Sequence, residues 1–392
     1  MGYDTVASLS SGLSNILKDV LGLTLIIVSY SFLVKHLAIF EIKSMLWLIV
    51  LTFIIEDFIG YWVHRFEHVI NILWNRHIIH HSSEEFNLAC ALRQPISTTV
   101  AIFTFFYIPA AILGIPFEVI AIVSPLHLFA QFWYHTRLIN NMGVLEHILV
   151  TPSHHRVHHA INDEYLDKNF SQVFIIWDKL FGTFQKELVD VPAVYGVRRP
   201  SNTWNPILIN YKHLWLLIKD AWRAENWLDK LRIWFMPTGW RPPELIERFP
   251  EYTVIDVYKM EKYQSSFSRP LLLWSWFQLL LHLFFMLLFF NKMGSLSNGI
   301  NIAYTFFLFL SIFSFTSLMD RSILAPITES IKFALAFIII YSTGTWMRLD
   351  DLIPFSNQIA IGYFILSLGL TFYFTYIEKR AVMKPLQVET TF

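Results

Sequence analysis

The chain has 392 residues, of which 55% are hydrophobic, 17% aromatic and 15% charged, and its formal net charge is zero with histidine neutral. Soluble globular proteins carry about 25% charged residues, so this composition, with a mean hydropathy of +0.46, excludes an ordinary soluble domain and describes an all-α integral membrane protein. The balanced charge gives no footing for nucleic-acid binding, and the single cysteine, Cys90, excludes an intramolecular disulfide and fits a reducing, cytosolic setting.

The first twenty residues lack the basic start and small-residue cleavage site of a signal peptide. Asp4 and Val6 fit the myristoylation pattern poorly. A membrane span needs about 20 apolar residues, and eight stretches are expected to cross: residues 20–40, 44–63, 96–113, 117–134, 270–290, 301–318, 330–347 and 358–377. The second stretch carries Glu56 and Asp57 in its last two turns and runs straight into His64. Carboxylates at that depth face a polar site or a protein interior; they either support metal ligands or pair with Arg65. Residues 64–94 are too polar for lipid and form a first cytosolic segment. Gly114-Ile115-Pro116 punctuates the third and fourth spans, and the fourth delivers His135.

From residue 162 to about 269 the chain is mixed and non-spanning. Trp204, Trp215, Trp222, Trp227 and Trp234 stand here among Lys and Arg, the composition of helices that lie in the membrane interface. Four apolar stretches close the chain. Eight spans return both termini to one side, and the basic tail at 378–384 assigns that side to the cytosol. The expected plan is an N-terminal region with the first span (1–43), a four-span catalytic half with a cytosolic histidine-rich cap (44–184), a connector (185–269) and a C-terminal four-span bundle (270–392).

The histidines concentrate the chemistry. Twelve of the fifteen lie between positions 64 and 159, about a quarter of the chain. Residues three and four apart share a helical face, so His64 with His68, His77 with His80 and His81, and His155 with His158 and His159 can each aim imidazoles at one point. Eight nitrogen donors are too many for one ion and suit two side by side. Neutral imidazole serves iron, copper and zinc alike. His135, at a helix end between the clusters, is expected as a ninth ligand. His127 either lines a substrate cavity or is a buried hydrogen-bonded residue, His154 orients rather than ligates, and His36, His147, His213 and His282 take no part in the site. Glu67, Glu84, Glu85, Asn87, Arg93 and Gln94 flank the first two clusters and either orient ligands, bind substrate or are solvated. Scattered glycines form no GxGxxG nucleotide fingerprint, so reducing equivalents come from a small diffusible reductant or a partner protein.

The motifs HxxxH, HxxHH and HxxHH within a four-span apolar region resemble the fatty acid hydroxylase and sterol desaturase superfamily of membrane di-iron oxygenases. The resemblance runs from about Ser44 to Phe184 and closes on Trp177-Asp-Lys-Leu-Phe-Gly-Thr183. Within it, His80-His81-Ser-Ser-Glu-Glu-Phe-Asn-Leu88, Ala91-Leu-Arg-Gln94 and Thr151-Pro-Ser-His-His-Arg-Val-His-His159 are similar to the branch that cleaves alkylglycerol ethers. The resemblance implies two iron ions held by His64, His68, His77, His80, His81, His155, His158 and His159, with His135 as a further candidate. It also implies O2 as oxidant, a lipid substrate, and tetrahydrobiopterin as electron donor, or an electron-donor protein in its place. The expected reaction is hydroxylation of the carbon beside an ether oxygen, giving a hemiacetal that falls apart to an aldehyde and a glycerol. Sterol or fatty-acyl desaturation or hydroxylation is the alternative of the same class. A metal transporter is the alternative of another class, and it predicts ligands inside the spans rather than just outside them.

Overall fold

A computed structural model describes residues 2–265, 268–351 and 353–378; the basic segment at 379–384 lies outside the described residues. Among them there is no β-strand, only isolated bridges. In chain order the helices are α1 (Gly2–Val20), α2 (Tyr30–Leu37), α3 (Met45–Val69), α4 (Asn71–Trp74), α5 (Ile78–His81), α6 (Ile108–Ile112), α7 (Phe117–Phe129), α8 (Pro152–His159), α9 (Ile176–Leu180), α10 (Pro206–Arg223), α11 (Trp227–Phe235), α12 (Pro243–Arg248), α13 (Arg269–Lys292), α14 (Asn298–Met319), α15 (Leu324–Thr343) and α16 (Ser356–Phe372).

The membrane spans differ in number from the expectation. Five helices are long and apolar enough to cross: α3, α13, α14, α15 and α16 with its continuation to Glu378. The stretch at 20–40 is no span; it breaks after α1 and yields only the eight-residue α2. The stretches at 96–113 and 117–134 do not give two straight spans either. A 3₁₀ segment, Ile102–Tyr107, leads into α6, and the chain then bends by 117° into α7. Gly114 makes the bend, with φ +69°, and a side chain there would collide with the Phe40 carbonyl. Pro109, Pro116 and Pro125 remove backbone donors along the same stretch. Hydropathy alone did not register these interruptions.

The chain divides into two compact units. One comprises residues 1–17, 202–208 and 263–392. In it α1 does not stand with the following residues: Tyr3, Val6 and Ala7 pack with Leu271, Ile312, Phe315 and Met319 of the last spans. Lipid tails are as apolar as leucine, so burial from water does not hold spans together and polar contacts carry specificity. Here Glu329 on α15 accepts from Ser314 of α14 (2.6 Å) and Ser367 of α16 (2.5 Å). Gln278 of α13 donates to Ser367 (2.8 Å), and Lys332 lies 2.7 Å from Glu329. All four spans thus share one buried polar ladder.

The second unit, residues 18–201 and 209–262, contains all twelve clustered histidines. Its long element is α3, capped by the Ser44 hydroxyl at Trp47 N–H. Asp57 on α3 is fully buried and accepts from Val173 N–H (2.8 Å), Phe174 N–H (3.0 Å), the Trp177 indole (2.8 Å) and the His127 ring (2.9 Å). One carboxylate therefore ties α3 to α7 and to the segment before α9. Glu56 instead accepts from Ser124 on α7. Neither carboxylate meets Arg65, which donates to the Tyr61 hydroxyl (3.0 Å).

Candidate metal centre

Four short pieces of chain deliver the imidazoles. His64 and His68 sit in the last two turns of α3, and His77, His80 and His81 lie at and within the single-turn α5. His135 follows α7, and α8 carries His155, His158 and His159. Proline at the first position of α8 and a reciprocal cap between Thr151 and His154 fix its start. His154 is thus spent on capping, as expected of an orienting residue.

The nine rings converge as two groups rather than three. His64, His68, His77, His81 and His158 form one; His80, His135, His155 and His159 form the other, and within each group the donor atoms all lie within 4.8 Å of one another. The sequence boxes are therefore split. Adjacent residues on a helix point about 100° apart, so His80-His81 and His158-His159 each send one ring to either group. The His81 and His159 rings stack at 4.4 Å where the groups meet.

The ring nitrogens show what the groups can hold. Nδ1 of His64 donates to the Phe170 carbonyl (2.7 Å), that of His80 to Arg93 (3.3 Å), that of His135 to Gln131 (3.1 Å) and that of His158 to Lys168 (3.0 Å). A carbonyl only accepts, so each of these rings carries its proton on Nδ1 and turns an Nε2 lone pair inward. His80 and His135 thereby set two lone pairs 3.3 Å apart, an arrangement that repels unless a cation lies between them. Nε2 of His64 and His77 approach to 3.0 Å, those of His68 and His81 to 3.1 Å, and those of His155 and His159 to 2.9 Å. Nε2 of His158 is buried and meets no hydrogen-bond partner among the described residues. Each group thus offers inward-facing imidazole nitrogens that could hold a metal ion. Burial pushes His77, His80, His81, His155, His158 and His159 well below the ordinary imidazole range, reinforced by their neighbours, and brings His135 to about 4. Burial thus favours the neutral form of these seven rings, the form that ligates metals.

Supporting residues include several that sequence reasoning did not single out. Asp178 is fully buried and accepts from Phe170 N–H (2.8 Å), Ser171 N–H (2.8 Å) and the Thr183 hydroxyl (2.7 Å), holding the loop whose carbonyl orients His64. Arg156, inside the third box, makes a two-pronged contact to Glu187 (2.8 and 2.6 Å) and donates to the Thr136 and Ile139 carbonyls, tying α8 to the segment after His135. Glu146 accepts from Ser153, Thr151 and Asn141 below α8. The sequence signal for Arg156 was its place inside the third box and for Asp178 its place in the closing motif; Glu146 had none. Of the flanking residues it did name, Glu67 bridges Arg76 (3.0 Å) and the His77 ring (3.7 Å), and Arg93 supplies the carbonyl for His80. Glu85 pairs with Arg137 and Lys262 at the surface, while Asn87 and Gln94 make local turn contacts.

The remaining histidines separate from the centre. His127 bonds to Asp57, and His213 is buried against the Asn71 carbonyl (2.8 Å). His36 and His147 are exposed, and His282 is buried in α13 with neither ring nitrogen bonded among the described residues.

Five helices long and apolar enough to cross a membrane, together with a nine-histidine double cluster able to hold metal, define the class: a multi-pass membrane protein with a candidate all-imidazole metal centre. Residues 49–183 match the fatty acid hydroxylase family. The chain is 36% identical to human alkylglycerol monooxygenase over 358 residues, 90% of this chain and 77% of that one. It is 39% identical to the Xenopus tropicalis enzyme of that name over 64% of this chain and 56% of the relative, and 38% identical to the Danio rerio enzyme over 61% and 53%. No solved structure matches. The protein belongs to the fatty acid hydroxylase family, whose members use a pair of iron ions, and it is an oxidoreductase, a membrane lipid monooxygenase.

Proposed function

We propose that the two histidine groups each hold one iron ion, that O2 is the oxidant, and that the substrate is an alkylglycerol whose ether bond is cleaved to an aldehyde and a glycerol. The observation that carries the metal assignment is the convergence of nine imidazoles into two groups, with donor atoms within 4.8 Å of one another in each, and in the second group the facing lone pairs of His80 and His135. Likeness to alkylglycerol monooxygenases over most of the chain supports the substrate class. Bound iron would supply O2 activation and hydrogen abstraction from an unactivated C–H bond. The chain's own work is positioning and exclusion of water. Backbone carbonyls of residues 93, 131, 168 and 170 fix the rings, and Phe86, buried to 1% exposure, covers the second group at 5.2 Å from His159 and is backed by Tyr195 stacked at 5.0 Å.

The two groups stand at the end of span α3, so an alkyl chain can lie along that span while its polar head remains near the interface. We place this end on the cytosolic face. Tetrahydrobiopterin is the proposed donor, with a redox partner protein as the substitute. Membranes loaded with iron and supplied with O2, tetrahydrobiopterin and a 1-O-alkylglycerol should release the fatty aldehyde, detected by mass spectrometry. Release that stops without the pterin supports the whole reading. Absence of aldehyde at about two irons per chain would overturn the ether substrate and direct the search to sterols and acyl lipids.

A further inference from the structure

Helices α10 and α11 form an amphipathic pair that the catalytic reading does not use. Their inner faces are apolar and sealed: Leu217 of α10 and Ile233 of α11 are buried together with Ala224 in the turn between them and Leu245 of α12, against Ile72 and Trp240. Their outer faces are apolar as well. On α10, Tyr211, Trp215, Ile218 and Trp222 recur every three or four residues and are exposed, Trp222 to 86%. On α11, Trp227, Leu228, Leu231 and Phe235 do the same, Trp227 to 79%. Lys230 caps the carbonyls of Ala221 and Trp222 and so closes the turn between the helices.

The position of this pair relative to the bilayer follows from its attachment. Span α3 ends at Val69, and the chain following α11 is hydrogen-bonded to that end. Thr238 N–H donates to the Val69 carbonyl (3.2 Å), Asn71 N–H to the Met236 carbonyl (3.0 Å), and the Thr238 hydroxyl to the carbonyl of His68. The Asn71 amide donates to Ile233 (2.8 Å) and Trp240 (3.2 Å), and His213 of α10 donates to the Asn71 carbonyl. Leu214 N–H donates to Asn75. A helix pair bolted to the last residue of a span is held at the level where that span leaves the hydrocarbon. Tryptophan on an amphipathic face favours that layer.

We propose that α10 and α11 lie on the bilayer as an interfacial foot, with Trp215, Trp222, Trp227, Leu231 and Phe235 in the headgroup–acyl boundary. The foot pins residues 69–75, the link between His68 and His77, to the membrane surface. Its partner is lipid as such rather than an anionic headgroup. Lys219 pairs with Glu251 and Arg232 with Asp229, Lys212 and Lys230 are spent on backbone carbonyls, and Arg223 lies over the Phe249 ring, so the outward stripe presents apolar side chains and the contact is apolar.

The test is site-directed spin labelling of the full chain in zwitterionic phosphatidylcholine nanodiscs. Cys90 is buried, which leaves an introduced cysteine as the accessible thiol, and W222C and L231C remove exposed side chains. V189C, at a residue 98% exposed in the connector, is the aqueous reference. The expected result is collision with O2 exceeding that with a water-soluble nickel chelate several-fold at 222 and 231, the reverse at 189, and no change in high salt. Nickel accessibility at 222 and 231 equal to that at 189 would show a water-facing pair and overturn the proposal. Low accessibility to both reagents would show a protein covering the face and overturn it equally.

Discussion

Replacing Asp178 by asparagine changes one atom and tests the chain of contacts behind the metal centre. The carboxylate receives three donors with no water in reach: Phe170 N–H and the Thr183 hydroxyl on one oxygen, Ser171 N–H on the other. An asparagine keeping its oxygen toward Phe170 turns an NH2 group onto the Ser171 N–H. That leaves a buried donor unanswered, at about 1–3 kcal/mol, and removes the charge that strengthened the other two bonds. The local cost is about 3 kcal/mol. The loop it loosens supplies the carbonyl that holds the His64 ring at 2.7 Å, so part of the cost reaches the first histidine group. Loss of an outer-shell partner lowers metal affinity by about 10–100-fold. The assay is iron per purified chain across a chelator titration, with detergent-phase thermal unfolding measured alongside. D190N, at an exposed position, is the control. If D178N holds iron as tightly as the parent while its loop remains intact, the proposed route from Asp178 through Phe170 to His64 is wrong.

Other perturbations separate neighbouring roles. H135A should lose about half of the bound iron, whereas H127A should keep it and lose about 1–3 kcal/mol of stability through the orphaned Asp57 contact; equal iron loss in both would contradict the two-group assignment. G114A should destabilise by about 2 kcal/mol or more, because φ is positive and the blocking atom is backbone; an unchanged melting temperature would remove the bend from the fold's requirements. His213 is buried neutral with its pKa lowered to about 4, chiefly by burial. The unfolded chain therefore binds a proton first as pH falls below about 6.5, so stability should decline from there toward pH 4, by about 3 kcal/mol in all. Chemical unfolding of H213Q, which can still donate to Asn71, should show a shallower decline than the parent; parallel curves would rule the assignment out.

Much of the centre was legible in the sequence because imidazole is costly to crowd: eight histidines at three- and four-residue spacings, with His135 between the boxes, have few uses other than metal. The closing motif was legible as a resemblance, and its Asp178 acquires a physical role only when the chain folds back beneath His64. The four C-terminal spans were legible because each is a long apolar run without a break. The N-terminal half was misread for the opposite reason: the turn at Gly114-Ile115-Pro116 was legible, but Pro109 and Pro125 lie inside apolar stretches whose mean hydropathy still resembles a span.

By itself the sequence determined that the protein is helical and membrane-bound, and it named the nine rings that the fold brings together, since these follow from composition and from the spacing of the histidines. Only the tertiary structure decided how the rings are shared. A run of adjacent histidines turns its side chains about 100° apart, so the partition of each box between two groups depends on which helix faces it. The inward lone pairs likewise depend on carbonyls up to 106 residues away in the chain, and α1 belongs with spans more than 250 residues distant for the same reason: no local spacing records a partner that arrives only when the chain is packed.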